Sequence, residues 1–253
     1  MRIATGGDML NFGLWDENNK NPVAAQRNLC TVFGEMAQLK SGQRIVDVGG
    51  GYSTPAALWC ERYFPADVAC VDLNFGQLRD SGIGERPEQV RNGVTRINAT
   101  ARILPFVDES LDRVLALESP QHFRPLEDFL SESFRVLKKD GMLALAIPVV
   151  KKPTSIIQLG VLAMAWSSEH YTVDFVKAAI SVAGFSIVSL QSIGSKVYDP
   201  LSDYYVENRN TLRPKILRHY PSYVEKILYN SVKKMKSVSQ GGMIDYLLIL
   251  CKK

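Results

Sequence analysis

Three features of the 253-residue sequence carry residue types that could bind and react. The first is Ile45-Val46-Asp47-Val48-Gly49-Gly50-Gly51-Tyr52-Ser53-Thr54, an apolar run that stops at glycines before a new pattern begins. A strand that turns through glycine into a helix lets backbone approach a nucleotide-like ligand closely, because a Cβ would block the approach or because φ is positive there. Asp47, two residues before the turn, suits a ligand with a cationic head and disfavours a pyrophosphate. Thr54 points the same way, since it stands where the dinucleotide fingerprint wants Gly or Ala. The bland alternative for Asp47 is an Asx residue that stabilises the turn.

The second feature is Asp72, which ends the run Val68-Ala69-Cys70-Val71 and lies 21 residues beyond Gly51. A carboxylate there can accept hydrogen bonds from both hydroxyls of a ribose; its alternative is a helix N-cap. The third is His122, in Glu118-Ser119-Pro120-Gln121-His122-Phe123. An imidazole just after a strand, where ligands bind in open α/β sheets, can act as a general base. Otherwise it packs against the ligand or caps a turn.

These residues need a frame to bring them together, and the apolar periodicity supplies one. Short buried runs recur at Arg44–Val48, Asp67–Val71, Val94–Asn98, Leu111–Leu117, Met142–Pro148, Ser186–Ile193 and Ile244–Leu250. Between them lie helical patterns: Ala25, Leu29, Val32, Phe33 and Met36 after Asn21-Pro22, then Thr54–Tyr63, Leu126–Leu137 and Val173–Ala183. Lys139-Asp140-Gly141 reads as a turn into the fifth run. Strands alternating with helices imply an α/β fold: a doubly wound, mostly parallel seven-stranded sheet. We read residues 1–253 as a single domain. Residues 1–20 form an N-terminal flap, and residues 151–170 and 195–240 form helical insertions that act as a lid, the first containing a helix over Ile156–Trp166.

Composition fits this frame and excludes several others. Apolar residues make up 46% of the chain and charged residues 22%, so disorder is not expected. The net charge of +4 permits an anionic ligand without demanding nucleic acid. Cys30, Cys60, Cys70 and Cys251 show no metal-ligand or paired spacing and suit a reducing compartment. No metal is expected. The opening residues lack the apolar core of a signal peptide, and Ile156–Trp166 is too short to span a bilayer. The expected location is the cytoplasm.

Taken in order, VDVGGG, VACVDL, LPFVDESLDRVLALESPQHF and FRVLKKDGMLALAIPV resemble the successive motifs of class I S-adenosylmethionine-dependent methyltransferases. The likeness is greatest to the branch acting on small molecules, including quinone, tocopherol, sarcosine and natural-product enzymes. It covers residues 10 to 150, with a weaker echo over 172 to 193 and in the last strand. The resemblance implies a Rossmann-like fold and S-adenosyl-L-methionine as cofactor. Asp47, Gly49 and Gly51 would then cradle the methionine end, and Asp72 and Leu73 would hold ribose and adenine. Thr100 and Ala101 would sit at the adenine edge, with Leu117 and Glu118 beneath the sulfonium. Two positions depart from the family pattern: Ser53 stands for its third glycine, and Thr100 for the Asp common at the adenine edge.

Phe12-Gly13-Leu14-Trp15 resembles a segment that folds over the cofactor in relatives. Trp15 would cover the sulfonium as a cation–π partner, or staple the first helix. Gln26 would reach the methionine end, or be an exposed helix residue. Related enzymes often carry a His where His122 stands, and some use it as the base. His170 would face substrate or lie on a solvated loop, and His219 sits among Arg213, Lys215 and Arg218 on an exposed face. Residues 213–236 hold Arg213, Lys215, Arg218, Lys226, Lys233, Lys234 and Lys236 against Glu225 alone. Their stripe Leu217, Tyr220, Val224, Ile227 and Leu228 reads as a lid helix with its apolar face over the substrate. The other reading is a surface for a membrane or an anionic partner.

The implied reaction is methyl transfer to a small molecule, with oxygen the leading acceptor. The alternatives are C- or N-methylation of an isoprenoid, quinone or amine, and a non-catalytic cofactor-binding partner subunit. An NAD oxidoreductase is disfavoured by Thr54 and Asp47. Methylation of nucleic acid is disfavoured because Leu117-Glu118-Ser119-Pro120 lacks the Asn or Asp, two prolines and aromatic of base amino methyltransferases. A homodimer is compatible with the sequence, which does not fix the oligomeric state.

Overall fold

A computed structural model describes residues 9–64, 66–80, 93–152 and 169–253. The expected helix over 156–166 and the first eight residues of the flap lie outside these. Two compact units divide the chain. One, the sheet unit, comprises Cys30–Ile147, Asp174–Gln191 and Leu248–Lys253; the other, the helical unit, comprises Met1–Leu29, Pro148–Val173 and Ser192–Leu247.

The strands are β1 (Arg44–Val48), β2 (Asp67–Asp72), β3 (Val94–Asn98), β4 (Leu111–Leu117), β5 (Leu137–Val150), β6 (Ser186–Ser192) and β7 (Ile244–Lys252). They form a seven-stranded sheet in the order β3-β2-β1-β4-β5-β7-β6. The pairs β1–β2, β1–β4, β2–β3 and β4–β5 are parallel, with Val46 opposite both Ala69 and Val114. Residues 45–48, 68–71 and 113–117 are buried without alternation, as expected of strands covered on both faces. The mostly parallel, doubly wound sheet read from the periodicity is therefore present. Chain order reverses between β1 and β4, which makes their carboxyl ends a topological switch point.

Helix α1 (Pro22–Met36) precedes β1, and α2 (Thr54–Arg62), α3 (Phe75–Asp80), α4 (Leu126–Val136) and α5 (Val173–Val182) lie in the connections between strands. In the sheet unit Trp59 is fully buried, donates Nε1 to Cys30 O at 2.8 Å and packs 5.9 Å from Phe33. A buried aromatic of this size contributes about 3–5 kcal/mol. On α4, Leu126, Phe129, Leu130, Ser133 and Val136 are buried, one side of a 3.6-residue repeat.

Two local differences from the sequence reading have clear causes. The expected turn at 139–141 lies within β5, whose register jumps from Leu111↔Leu137 to Arg113↔Met142. Asp140, not Gly141, takes the left-handed conformation, φ 65°. Gly141 is needed for room instead, since a Cβ there would stand 2.9 Å from Lys138 O.

The second difference is in the helical unit. The 195–240 excursion consists of α6 (Gly194–Glu207), α7 (Arg209–Leu217) and α8 (Ser222–Gln240). Pro221 starts α8, so the stripe read across 213–236 does not run along one helix. Tyr220 and Ile227 are exposed, and Glu225 takes a buried position that periodicity gives to an apolar residue. Arg209 makes this tolerable by donating to both carboxylate oxygens at 2.8 and 3.0 Å, while its guanidinium stacks 3.7 Å over Tyr229. No helix among the described residues is long and apolar enough to cross a membrane.

Candidate active site

At the switch point the turns after β1 and β4 interlock. Gly49 has φ 74° and Gly51 φ 56°, backbone states that L side chains rarely adopt. A Cβ on Gly49 would lie 2.4 Å from Ser119 Cβ, so the two turns occupy adjoining space with none to spare. Ser119 Oγ donates to Val48 O at 2.6 Å, and Gly49 N–H donates to Val71 O at 2.7 Å. The glycine turn is thus tied to β4 on one side and to β2 on the other. Ser53, in place of a third glycine, adopts φ 59° as the N-cap of α2 and faces the Cys70 thiol. Its left-handed backbone explains why glycine suits that position.

The two acids differ. Asp72, at the end of β2, accepts from Gly51 N–H at 2.8 Å and from Asn74 N–H at 2.7 Å. It organises the glycine turn as well as its own. Asp47 is 1% exposed, and neither of its carboxylate oxygens has a hydrogen-bond partner among the described residues. It makes no Asx turn. Burial, and then the nearby charge of Asp72, push its carboxyl up to about 7. An acid held dry and unpaired suits a cationic group, and the ammonium of S-adenosylmethionine fits that requirement.

Further along the strand ends, Asn98 Nδ2 donates to Asp72 O and Leu73 O at 2.9 and 3.0 Å, joining β3 to β2. Leu73 itself is 74% exposed, an apolar side chain left open to a flat ligand. Thr100 and Ala101 are half-buried in the following turn, where Thr100 Oγ1 accepts from Arg102 N–H at 3.2 Å. Glu132 accepts from Leu104 N–H, and Arg135 donates to Leu104 O and Phe106 O; together these two α4 residues fix the loop beyond.

Leu117 is buried, and Glu118 turns the chain with φ 51°, a sparsely populated conformation for a side-chain-bearing residue. Its N–H donates to Ala146 O at 2.9 Å, and its carbonyl accepts from Gln121 Nε2 at 2.7 Å. Pro120–His122 then form one 3₁₀ turn, closed by His122 N–H to Ser119 O at 2.9 Å. The His122 side chain is exposed. Sequence reasoning missed Ser119, Gln121 and Asn98, the polar residues that fasten these turns. Their signal was adjacency: each stands within four residues of a strand end.

The structure gathers Asp47, Gly49, Gly51, Asp72, Leu73, Thr100, Ala101, Leu117, Glu118 and His122 at the carboxyl ends of β1 to β4 in the sheet unit. Trp15, Gln26 and His170 belong to the helical unit. Trp15 is buried, donates Nε1 to Phe12 O at 3.2 Å and lies 5.6 Å from the Tyr204 ring. Gln26 is not an exposed helix residue: it is 1% exposed and donates to Met9 O and Asn11 O at 3.2 and 2.7 Å. Its Oε1 has no partner among the described residues. His170 is half-buried. No cluster of metal-ligating side chains occurs among the described residues.

Comparison with known proteins gives the same picture. Residues 46–145 match the family described as a methyltransferase domain. The chain is 28% identical to erythromycin 3''-O-methyltransferase of Saccharopolyspora erythraea, over 98% of this chain and 85% of that protein. It is 24% identical to 27-O-demethylrifamycin SV methyltransferase of Amycolatopsis mediterranei, over 98% of this chain and 90% of that protein. In fold it matches a Galdieria sulphuraria crystal structure, proposed to be a sarcosine dimethylglycine methyltransferase. The TM-score is 0.84 at 15% identity, covering 100% of this chain and 96% of that one.

Proposed function

The chain is an S-adenosylmethionine-dependent methyltransferase, and we propose that it methylates a hydroxyl oxygen of a natural product or small metabolite, with His122 as the base. The observation that carries this reading is an exposed imidazole one 3₁₀ turn beyond β4, on a segment fastened to β1 through Ser119 and Val48. The two relatives named above, each covering 98% of this chain, carry O-methyltransfer or O-demethyl substrates in their names. The four cysteines are buried and form no disulfide among the described residues, which supports a cytoplasmic setting.

S-adenosylmethionine, when bound, supplies a methyl group on a sulfonium. Asp47, Gly49 and Gly51 hold its methionine end, with the unpaired Asp47 carboxylate as the anionic counterpart of the ammonium. Asp72 takes the ribose, Leu73 the adenine face, and Thr100 and Ala101 the adenine edge. Leu117 and the Glu118 turn, φ 51°, would hold the sulfonium end. His122 would take the proton from the acceptor hydroxyl as that oxygen is methylated. Most of the acceleration comes from holding the acceptor in line.

The test joins a substrate screen to one variant. Hydroxylated natural products are incubated with enzyme and labelled cofactor, and the methylated atom is located by NMR. With the acceptor known, His122→Ala should lower kcat by about 10²–10⁴-fold. Calorimetric cofactor affinity should stay unchanged, and the pH–rate profile should lose an imidazole ionisation. A loss under about tenfold with the profile retained, or a methyl group found on carbon or nitrogen, would overturn the assignment.

A further inference from the structure

The outer face of α8 is built unlike the rest of the helical unit. Tyr223, Lys226, Ile227, Asn230, Lys233 and Lys234 recur at helical spacing and are all exposed. Tyr223 and Ile227, on this face, are 62% and 45% exposed, and Tyr220, just before the helix, is 49% exposed. Of the cations in this stretch, Lys233 lies 5.4 Å from the centre of the Tyr229 ring. Arg213 and Lys236 have carboxylate partners in Glu225 and Asp203. Lys215, Arg218, Lys226, Lys233 and Lys234 form no ion pair with the described residues. The one acid of this stretch, Glu225, is buried and already paired with Arg209. Among the described residues of α8, this face is therefore basic and apolar and carries no acid.

We infer that this face docks on the surface of an anionic phospholipid bilayer. The charge pattern complements phosphate headgroups, each cation near such a surface being worth about 1 kcal/mol. Tyrosine suits the boundary, with its ring among the upper acyl carbons and its hydroxyl in water. Lysines on the same face can lay their stems along the apolar layer and keep their ammonium groups outside it. A protein partner fits less well, because a stable interface needs roughly 800 Å² per side around a buried apolar centre, and here three apolar side chains stand apart among charges. Binding of this kind is reversible and peripheral. It would hold the enzyme where apolar acceptors collect, and it does not depend on which acceptor atom is methylated.

The full-length protein should sediment with vesicles containing phosphatidylglycerol, weakly or not at all with pure phosphatidylcholine, and less as salt rises. Lys226→Glu with Lys234→Glu should weaken binding by about tenfold or more. Tyr223→Ser with Ile227→Ser should weaken it severalfold while leaving the salt dependence in place. These positions are exposed, so thermal stability should be unchanged. If the charge reversals nonetheless destabilise the fold, Lys226→Gln with Lys234→Gln carries the same test with a smaller loss. Equal binding to both vesicle types, no binding to either, or variants that bind like the parent would overturn the proposal. Binding to polyglutamate but not to vesicles would also overturn it, and would assign the face to an acidic protein.

Discussion

Asp47 and Glu225 are both carboxylates shut away from solvent, 1% and 0% exposed, yet they are handled in opposite ways. Glu225, in the helical unit, receives two guanidinium hydrogen bonds from Arg209, and its carboxyl is held below the ordinary range chiefly by them. Asp47, in the sheet unit, receives none from the described residues, and burial raises its carboxyl to about 7. A buried charge whose counterion comes from the same chain is architecture. A buried acid without one, at a switch point, is where the proposed cationic end of the cofactor would supply the counterion.

Removing the counterion of the paired acid should produce the largest effect. Arg209→Ala leaves Glu225 with only Arg213, 3.6 Å away. It should lower stability in urea denaturation, because the buried Glu225 carboxylate loses two charge-assisted hydrogen bonds. A cost within experimental error would erase the contrast between the two acids. Asp47→Asn should act with the opposite sign. With the cofactor absent, it should stabilise the protein at pH 8, because burial and the charge of Asp72 disfavour ionising the native carboxyl. It should also weaken cofactor binding, and a variant that binds as the parent does would sink the proposed role.

The pH dependence of stability sharpens the same contrast. A raised carboxyl binds its proton more tightly folded than unfolded. The Asp47 contribution is therefore fully present below about pH 4 and is lost as pH rises through about 7. The depressed carboxyl of Glu225 contributes above its ordinary value near 4.5, and that contribution is lost as pH falls through its lower folded value. Asp47→Asn should flatten only the first of these slopes.

Smaller effects are expected from the bonds that shape the cradle. Asp72→Ala removes the acceptor for Gly51 and Asn74 N–H, along with the proposed ribose contact. It should weaken cofactor binding by about 2 kcal/mol, roughly thirtyfold, by calorimetry. Ser119→Ala loses a single bond to Val48 O and should cost about 1 kcal/mol of stability. A larger loss would mean that the β1 and β4 turns depend on each other more than their packing indicates.

Legibility in the sequence followed the same division. Arg44–Val48, Val94–Asn98 and Leu111–Leu117 were read to the residue; in the first and last, a buried apolar run stops at Gly49 and at Glu118. The acids and glycines of the cradle were legible because one turn needs both. Helices α6 to α8 were not resolved from one another. Pro221 resets the helical phase, and Glu225 stands where an apolar residue was expected, its partner Arg209 sixteen residues earlier. The role of Gln26 was equally hidden, since its partners Met9 and Asn11 contribute only carbonyl oxygens, which carry no sequence signature. Short polar ties such as Asn98 and Gln121 look like loop residues until the strands they join are aligned.

The packing of Gly49 against Ser119 also constrains how this protein could change over time. A Cβ at position 49 and the one already at 119 would compete for the same few cubic ångströms, with Phe123 closing the third side. Neither position can drift alone, since enlarging one is lethal to the cradle unless the other shrinks first, and Ser119 can shrink only to glycine by abandoning Val48. New acceptor preferences must therefore be sought elsewhere, and a mutational library that varies these two sites independently would be mostly inactive before any substrate was offered.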